Sequence, residues 1–263
     1  IDERREAPYI SNAIRTPRYT IWDFLPHQLL FQPSRLAHAY LMVVAILQVT
    51  PGLSTTGKFT IIIPLTIFVF LVIPKEGYYD WIRCRADVAE NSQPVFVLRH
   101  TTSGPQSEAE YQGSSQFGCL QWVQTSWEDI GVGEIVKLAR DKDVPADIVV
   151  IYASGDSGRA YVDTMALDGE TNLKPKQPPA NILGCSTIQG SADPRADFNI
   201  EDPNADLYRF DSTVTANGRI LPMKMDEVIY RGCTIRNTTA VVGMVVNTGE
   251  KCKIRMNAKQ TTR

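Results

Sequence analysis

Two runs without a single Asp, Glu, Lys or Arg lie close together in the first third of the chain, and they limit its possible folds more than any other feature. The first is Leu36–Val49 (LAHAYLMVVAILQV), which stays free of those residues through Gly57; the second is Phe59–Ile73 (FTIIIPLTIFVFLVI). Each is shorter than the roughly 20 residues that cross a bilayer core. The first extends to Leu53, however, and the second through Gly77 to Tyr79. Tyr78, Tyr79 and Trp81 then stand where an interfacial aromatic belt lies. The segment between the runs, Thr50 to Lys58, opens with Pro51-Gly52 and continues in small polar residues, the chemistry of a tight turn. The pattern predicts a helical hairpin over residues 36–79. Arg15, Arg18 and Arg35 precede it, Lys75, Arg83 and Arg85 follow the second run, and the connection carries only Lys58. An excess of Lys and Arg marks the cytosolic side, so both outer ends are expected there. A hairpin buried in a soluble core is the competing reading. Pro64 would break a soluble helix, but a membrane helix tolerates it where neighbours satisfy the freed carbonyl. Upstream, Ile21–Phe31 is apolar but too short to span; it reads as an interfacial segment or a loop on the following domain.

After about Arg85 short β-prone runs alternate with turn residues. They include Val95–Leu98, Glu134–Leu138, Asp147–Tyr152, Ala160–Asp163 and Ala240–Val246. No long helical period appears, which predicts an all-β sandwich or distorted jelly roll over residues 80–257. The stretches Thr101–Gly118 and Gln177–Asn204 read as surface loops. Gly131 and Gly133 precede one strand, and Asp141–Asp147, with Pro145, turns the chain into the next; together these predict a β-hairpin. In Met165–Lys174 (MALDGETNLK) a strand is expected to end in Asp168-Gly169 with Glu170 at the tip. Glycine lets such a backbone approach another surface, and a carboxylate there suits a base or a group that positions water. An ordinary Asp-Gly turn with a solvated glutamate is the plainer alternative.

Composition excludes several classes. With 27 basic and 29 acidic residues, nothing global points to nucleic acid. The cysteines, Cys84, Cys119, Cys185, Cys233 and Cys252, are odd in number and never spaced C-x-x-C, which argues for reduced thiols rather than disulfides or a zinc site. The first 35 residues are charged and unlike a signal peptide. The chain opens on Ile1 and ends in the polar run Asn257–Arg263, so it reads as a fragment: a cytosolic segment (1–35), the hairpin (36–79), the β domain (80–257) and a truncated linker (258–263).

The order of these features resembles the type IV P-type ATPases, the phospholipid flippases. The likeness runs from about Tyr9 to Asn257. It is carried by Ser11-Asn12-Ala13-Ile14, Arg18-Tyr19-Thr20 and Phe24-Leu25-Pro26, by Ala45-Ile46-Leu47-Gln48 with Pro51 and Ser54, and by Lys75-Glu76, Asp80, Arg83, Asp87 and Asn91. Further along come Trp127–Val136, Pro145-Ala146-Asp147, Asp168–Lys174, Arg231-Gly232-Cys233 with Arg236-Asn237-Thr238, and Thr248-Gly249. Cation pumps usually carry Thr-Gly-Glu where this chain has Asp168-Gly169-Glu170. Among flippases, the likeness is greatest to fungal members of the Golgi and endosomal system.

The resemblance implies a membrane hairpin joined to an actuator domain. It implies that Glu170 activates the water that hydrolyses an aspartyl phosphate in another domain, with Gly169 allowing close approach and Asp168 and Thr171 shaping the tip. The linkers around Gln32–Arg35 and Gly77–Glu90 would transmit actuator rotation to the first two helices. Gln48 matches a headgroup-selecting position, although many relatives have two adjacent glutamines and this chain has Gln48-Val49. ATP and Mg2+ would serve the full-length enzyme at sites outside this chain, which contains no Asp-Lys-Thr-Gly motif, so no metal site is expected here. The implied partners are a phospholipid, the membrane, the remaining domains of the ATPase and a glycosylated accessory β subunit. The implied location is the Golgi, endosomes or plasma membrane, with the β domain in the cytosol. Asn237-Thr238-Thr239 is a glycosylation sequon that this topology leaves unmodified. The alternative is an inactive, membrane-anchored interaction module. By itself the chain is expected neither to bind ATP in the family manner nor to move lipid.

Overall fold

The structure, a computed structural model, describes residues 9–16, 24, 26–27, 30, 36–50, 60–101, 119–155, 158–180, 196–216 and 218–261. It divides into two compact units, Arg15–Glu90 and the combination of Ile1–Ile14 with Asn91–Arg263.

The first unit is helical. Helix α1, Leu36–Val49, coincides with the first charge-free run. Helix α2, Ile62–Asn91, begins inside the second run and continues well past Tyr79. The sequence reading ended the hairpin at Tyr79 and treated Gly77–Glu90 as a linker, but that stretch is continuous helix. Between Trp81 and Asn91 lie Arg, Ala and Glu with no glycine or proline, which favours helix; Pro94 follows soon after. Pro64 falls in the first turn of α2, where an N–H has no helical partner to lose, so it breaks nothing. Pro74 lies deeper and leaves the carbonyl four residues before it without a helical donor.

None of the apolar window of α2 is buried within the protein. Ile63, Ile67, Phe68, Phe70 and Leu71 are all exposed. This uncovered apolar surface is consistent with membrane helices. By length and composition α2 is sufficient to cross a membrane; α1 is also apolar but shorter. His38 of α1 meets Phe68 of α2 edge to face, with centroids 5.6 Å apart. Residues 51–58 of the predicted turn and most of Ile21–Phe31 lie outside the described residues. At the unit's other end, Asp87 accepts from the Thr16 N–H (2.5 Å) and Thr16 Oγ1 (2.7 Å).

The second unit is built of antiparallel sheets. Its strands are β1 (Pro94–Thr101), β2 (Cys119–Ser126), β3 (Ile135–Ala139), β4 (Asp147–Ala153), β5 (Ala160–Asp163), β6 (Lys174–Lys176), β7 (Ala196–Asn199), β8 (Thr213–Ala216), β9 (Arg219–Pro222), β10 (Val228–Ile229), β11 (Thr234–Arg236) and β12 (Ala240–Asn247). The main sheet has the order β10-β4-β12-β3-β1-β2, and two smaller sheets have the orders β11-β5-β6 and β7-β8-β9. The result is the expected fold class, a helical hairpin with a distorted all-β jelly-roll domain. Valines and isoleucines, with Leu138, dominate the core: Val97, Val136, Ile148, Val149, Val150, Val162, Ile229, Ile235, Val241 and Val245 are all buried.

Three expectations need correction. Strands β3 and β4 are not a hairpin: both pair with β12, which lies between them. Their connection is instead tied to the β10–β11 segment, with the Val144 N–H donating to the Cys233 carbonyl (2.9 Å) and the Gly232 N–H to the Val144 carbonyl (3.1 Å). The stretch Gln177–Asn204 is not all loop, because it contains β7, which pairs residue for residue with β8. The boundary at Asn257 falls within a helix, α3 by its place here, spanning Lys253–Thr261. Residues 102–118 of the other predicted loop lie outside the described residues.

Candidate catalytic loop

Strand β5 ends at Asp163, earlier than the sequence reading placed it, and one helical turn, Met165–Asp168, intervenes before the tip. Leu167 of that turn packs against the core and anchors it. Gly169 closes the turn with φ 73°, and its N–H donates to the Met165 carbonyl at 3.0 Å. This left-handed closing position is where glycine costs least, which accounts for the Asp-Gly pair. A Cβ at Gly169 would meet nothing within 4 Å, so one side of the backbone is open.

Asp168 organises the loop. Its Oδ1 accepts from Thr164 Oγ1 (3.0 Å) and from the Glu170 N–H (3.0 Å), and its Oδ2 accepts from Lys174 Nζ (2.5 Å). Burial pushes its pKa up, but hydrogen bonds from Lys174, the Glu170 N–H and Thr164 outweigh that and hold it below the usual carboxylate value. The Glu170 side chain is 60% exposed and its Oε2 lies 3.0 Å from Lys174 Nζ. Lys174 opens β6 and stands opposite Val162 of β5, so its backbone is part of a sheet. The structure therefore brings Asp168, Gly169 and Glu170 together at one exposed tip. Thr171 is exposed there too, but no hydrogen bond positions it among the described residues.

Gln48 belongs to the helical unit. It is the next-to-last residue of α1 and half-buried, and its enclosed Oε1 has no hydrogen-bond partner among the described residues.

The sequence reading gave no role to a buried polar network in the β unit. Asn12 is fully buried; its Nδ2 donates to the carbonyls of Trp127 (2.8 Å) and Pro145 (3.1 Å). Its Oδ1 accepts from Arg231 Nη1 (2.9 Å) and the Gly249 N–H (2.9 Å). Asp147, also fully buried, accepts from the backbone N–H groups of Arg231 (3.0 Å) and Lys253 (2.9 Å). Burial raises the Asp147 pKa to about 6 despite those donors. Lys253 Nζ is buried and donates to Glu201 Oε1 (2.7 Å), Asn204 Oδ1 (2.8 Å) and the carbonyls of Asp206 (2.9 Å) and Arg209 (2.5 Å). Asn12, Asp147 and Arg231 had been picked out only as parts of motifs, and nothing local marks Lys253 as buried. At the junction with α2, Asn91 brackets Ile14, accepting its N–H and donating to its carbonyl, both at 2.9 Å.

Known protein families match most of the chain. Residues 118–262 match the P-type ATPase actuator domain, and residues 1–62 match the phospholipid-translocating ATPase N-terminal family. The probable phospholipid-transporting ATPase DNF3 of Saccharomyces cerevisiae is 37% identical over 100% of this chain and 19% of its own length. The phospholipid-transporting ATPase dnf1 of Schizosaccharomyces pombe is 30% identical, covering 98% of this chain and 21% of its own length. Phospholipid-transporting ATPase 6 of Arabidopsis thaliana is 35% identical, covering 96% of this chain and 19% of its own length. The chain thus spans about a fifth of these relatives. It belongs to the phospholipid-translocating P-type ATPases, of which it carries the N-terminal family segment and the actuator domain.

Proposed function

We propose that this chain is the part of an ATP-driven phospholipid flippase that ends each phosphorylation cycle. The observation that carries the reading is Glu170: an exposed carboxylate at a hydrogen-bonded tip, beside a glycine with open space over it. An aspartate in another domain of the full protein takes the γ-phosphoryl group of ATP. The β unit then presents Glu170 to the aspartyl phosphate. Its carboxylate takes a proton from water as the water oxygen bonds to phosphorus in line, and the aspartate oxygen leaves. Gly169 permits the approach, Asp168 fixes the tip, and Thr171 lies beside the reacting group.

ATP and Mg2+ serve the full-length enzyme at sites in its remaining domains. The helical unit lies in the membrane with the β unit in the cytosol, consistent with the arginines and lysines flanking the hairpin. Lipid moves from the exoplasmic to the cytosolic leaflet, with Gln48 at the headgroup path. A glycosylated accessory subunit completes the complex, in Golgi, endosomal or plasma membrane.

The test is transport by the full-length protein reconstituted in vesicles with fluorescent phospholipids. The reading predicts ATP-dependent movement toward the leaflet that faces the β unit, abolished in Glu170→Gln. Undiminished transport by that variant, or movement the other way, contradicts it.

A further inference from the structure

We infer that Lys174 is the positioning residue for Glu170, a sheet-anchored clasp that sets where the catalytic carboxylate points. The inference rests on the role proposed for Glu170 and adds to it a second side chain. Three observations carry it. The Lys174 ammonium lies 2.5 Å from Asp168 Oδ2 and 3.0 Å from Glu170 Oε2, so one cation bridges both carboxylates of the tip. The two anions differ in their surroundings: the Asp168 side chain is 15% exposed and the Glu170 side chain 60%. Asp168 is also held by Thr164 and by the Glu170 N–H, whereas the Glu170 carboxylate has only Lys174 among the described residues.

Lys174 differs from the rest of the loop in its backbone. It pairs with Val162 in the β11-β5-β6 sheet, while residues 169–173 belong to no helix or strand. A cation fixed to a strand and latched to Asp168 therefore gives the exposed side chain of Glu170 a fixed reference. Two like charges two residues apart repel, and Lys174 offsets that repulsion while leaving the second oxygen of Glu170 for water. The proton that Glu170 takes during hydrolysis goes to that oxygen, and Lys174 donates no proton and forms no bond to phosphorus. The Lys174–Glu170 arm is exposed and contributes little to stability, and without Lys174 the less exposed Asp168 keeps its hydrogen bonds from Thr164 and the Glu170 N–H, so the loss falls on aim more than on folding.

The experiment is single-turnover phosphoenzyme breakdown in the full-length ATPase, comparing wild type with Lys174→Met, Lys174→Arg, Glu170→Gln and the double variant Lys174→Met/Glu170→Gln. Lys174→Met should slow breakdown about tenfold, the scale of a misaimed catalytic group. Lys174→Arg should restore most of the rate, because a cation remains on the strand. In the Glu170→Gln background, Lys174→Met should add no further loss, since its effect passes through Glu170. A wild-type rate in Lys174→Met, no recovery with arginine, or an additive loss in the double variant would overturn the inference and leave the role of Glu170 standing. Normal breakdown in Glu170→Gln would overturn the underlying reading instead.

Discussion

The two polar clusters of the β unit are built on opposite plans. Around Asn12, Asp147, Arg231 and Lys253 the groups are buried, tied by hydrogen bonds, and drawn from both ends of the chain. Around Glu170 the groups come from one short stretch, and the Glu170 carboxylate faces solvent. The first cluster cannot lose a partner without leaving a polar group dry. The second can lose one with little effect on folding. On the proposed reading, stability and chemistry stand in separate parts of the same domain, and the loop that presents Glu170 is carried by a frame tied together by buried hydrogen bonds.

This contrast makes predictions that can break it. The largest effect should come from Lys253→Met, which removes the buried ammonium that donates to Glu201 Oε1, Asn204 Oδ1 and the carbonyls of Asp206 and Arg209. Such a loss costs about 3–5 kcal/mol. Hydrogen exchange of the β-strand amides in the full-length protein should show it as loss of protection, and unchanged protection would deny that the network is structural.

A sharper comparison uses two glycines with similar backbones. Gly249 has φ 54°, and a Cβ there would lie 2.4 Å from the Ser11 carbonyl oxygen; Gly169 has φ 73° and an empty surround. Gly249→Ala combines backbone strain with a clash against the docked N-terminal segment and should cost about 2–3 kcal/mol. Gly169→Ala should cost only about 1 kcal/mol, from strain alone. Equal costs would mean that the N-terminal segment is not held against Gly249. Smallest of all, Lys174→Met should change stability by less than about 0.5 kcal/mol.

Features with local periodicity were visible in the sequence. Two uncharged runs gave the helices, and valine-rich stretches such as Asp147–Tyr152 and Ala240–Val246 gave the central strands. The Asp-Gly tip was visible too, because a left-handed closing residue demands glycine. Pairings across long separations were not. Nothing near Ile135–Ala139 says that β12, a hundred residues later, inserts between it and β4. Nothing in Lys253 distinguishes it from the solvated lysines around it, since its burial depends on Glu201, Asn204 and the backbone of 206–209 closing over it. The part of α2 beyond Tyr79 was misread because its charges signal the end of the lipid-facing stretch, whereas helix propensity continues to Asn91. The network around Asn12 joins residues more than two hundred positions apart, and only the fold brings them together.

The central claim is that the exposed carboxylate of Glu170 performs chemistry while contributing nothing to the frame. It is tested most directly by labelling the full-length ATPase with phosphate from radioactive ATP and following loss of label after a chase with unlabelled ATP. The account predicts that Glu170→Gln takes up label as wild type does, keeps it about a hundredfold longer or more, and unfolds at the wild-type temperature. Label lost at the wild-type rate would contradict it.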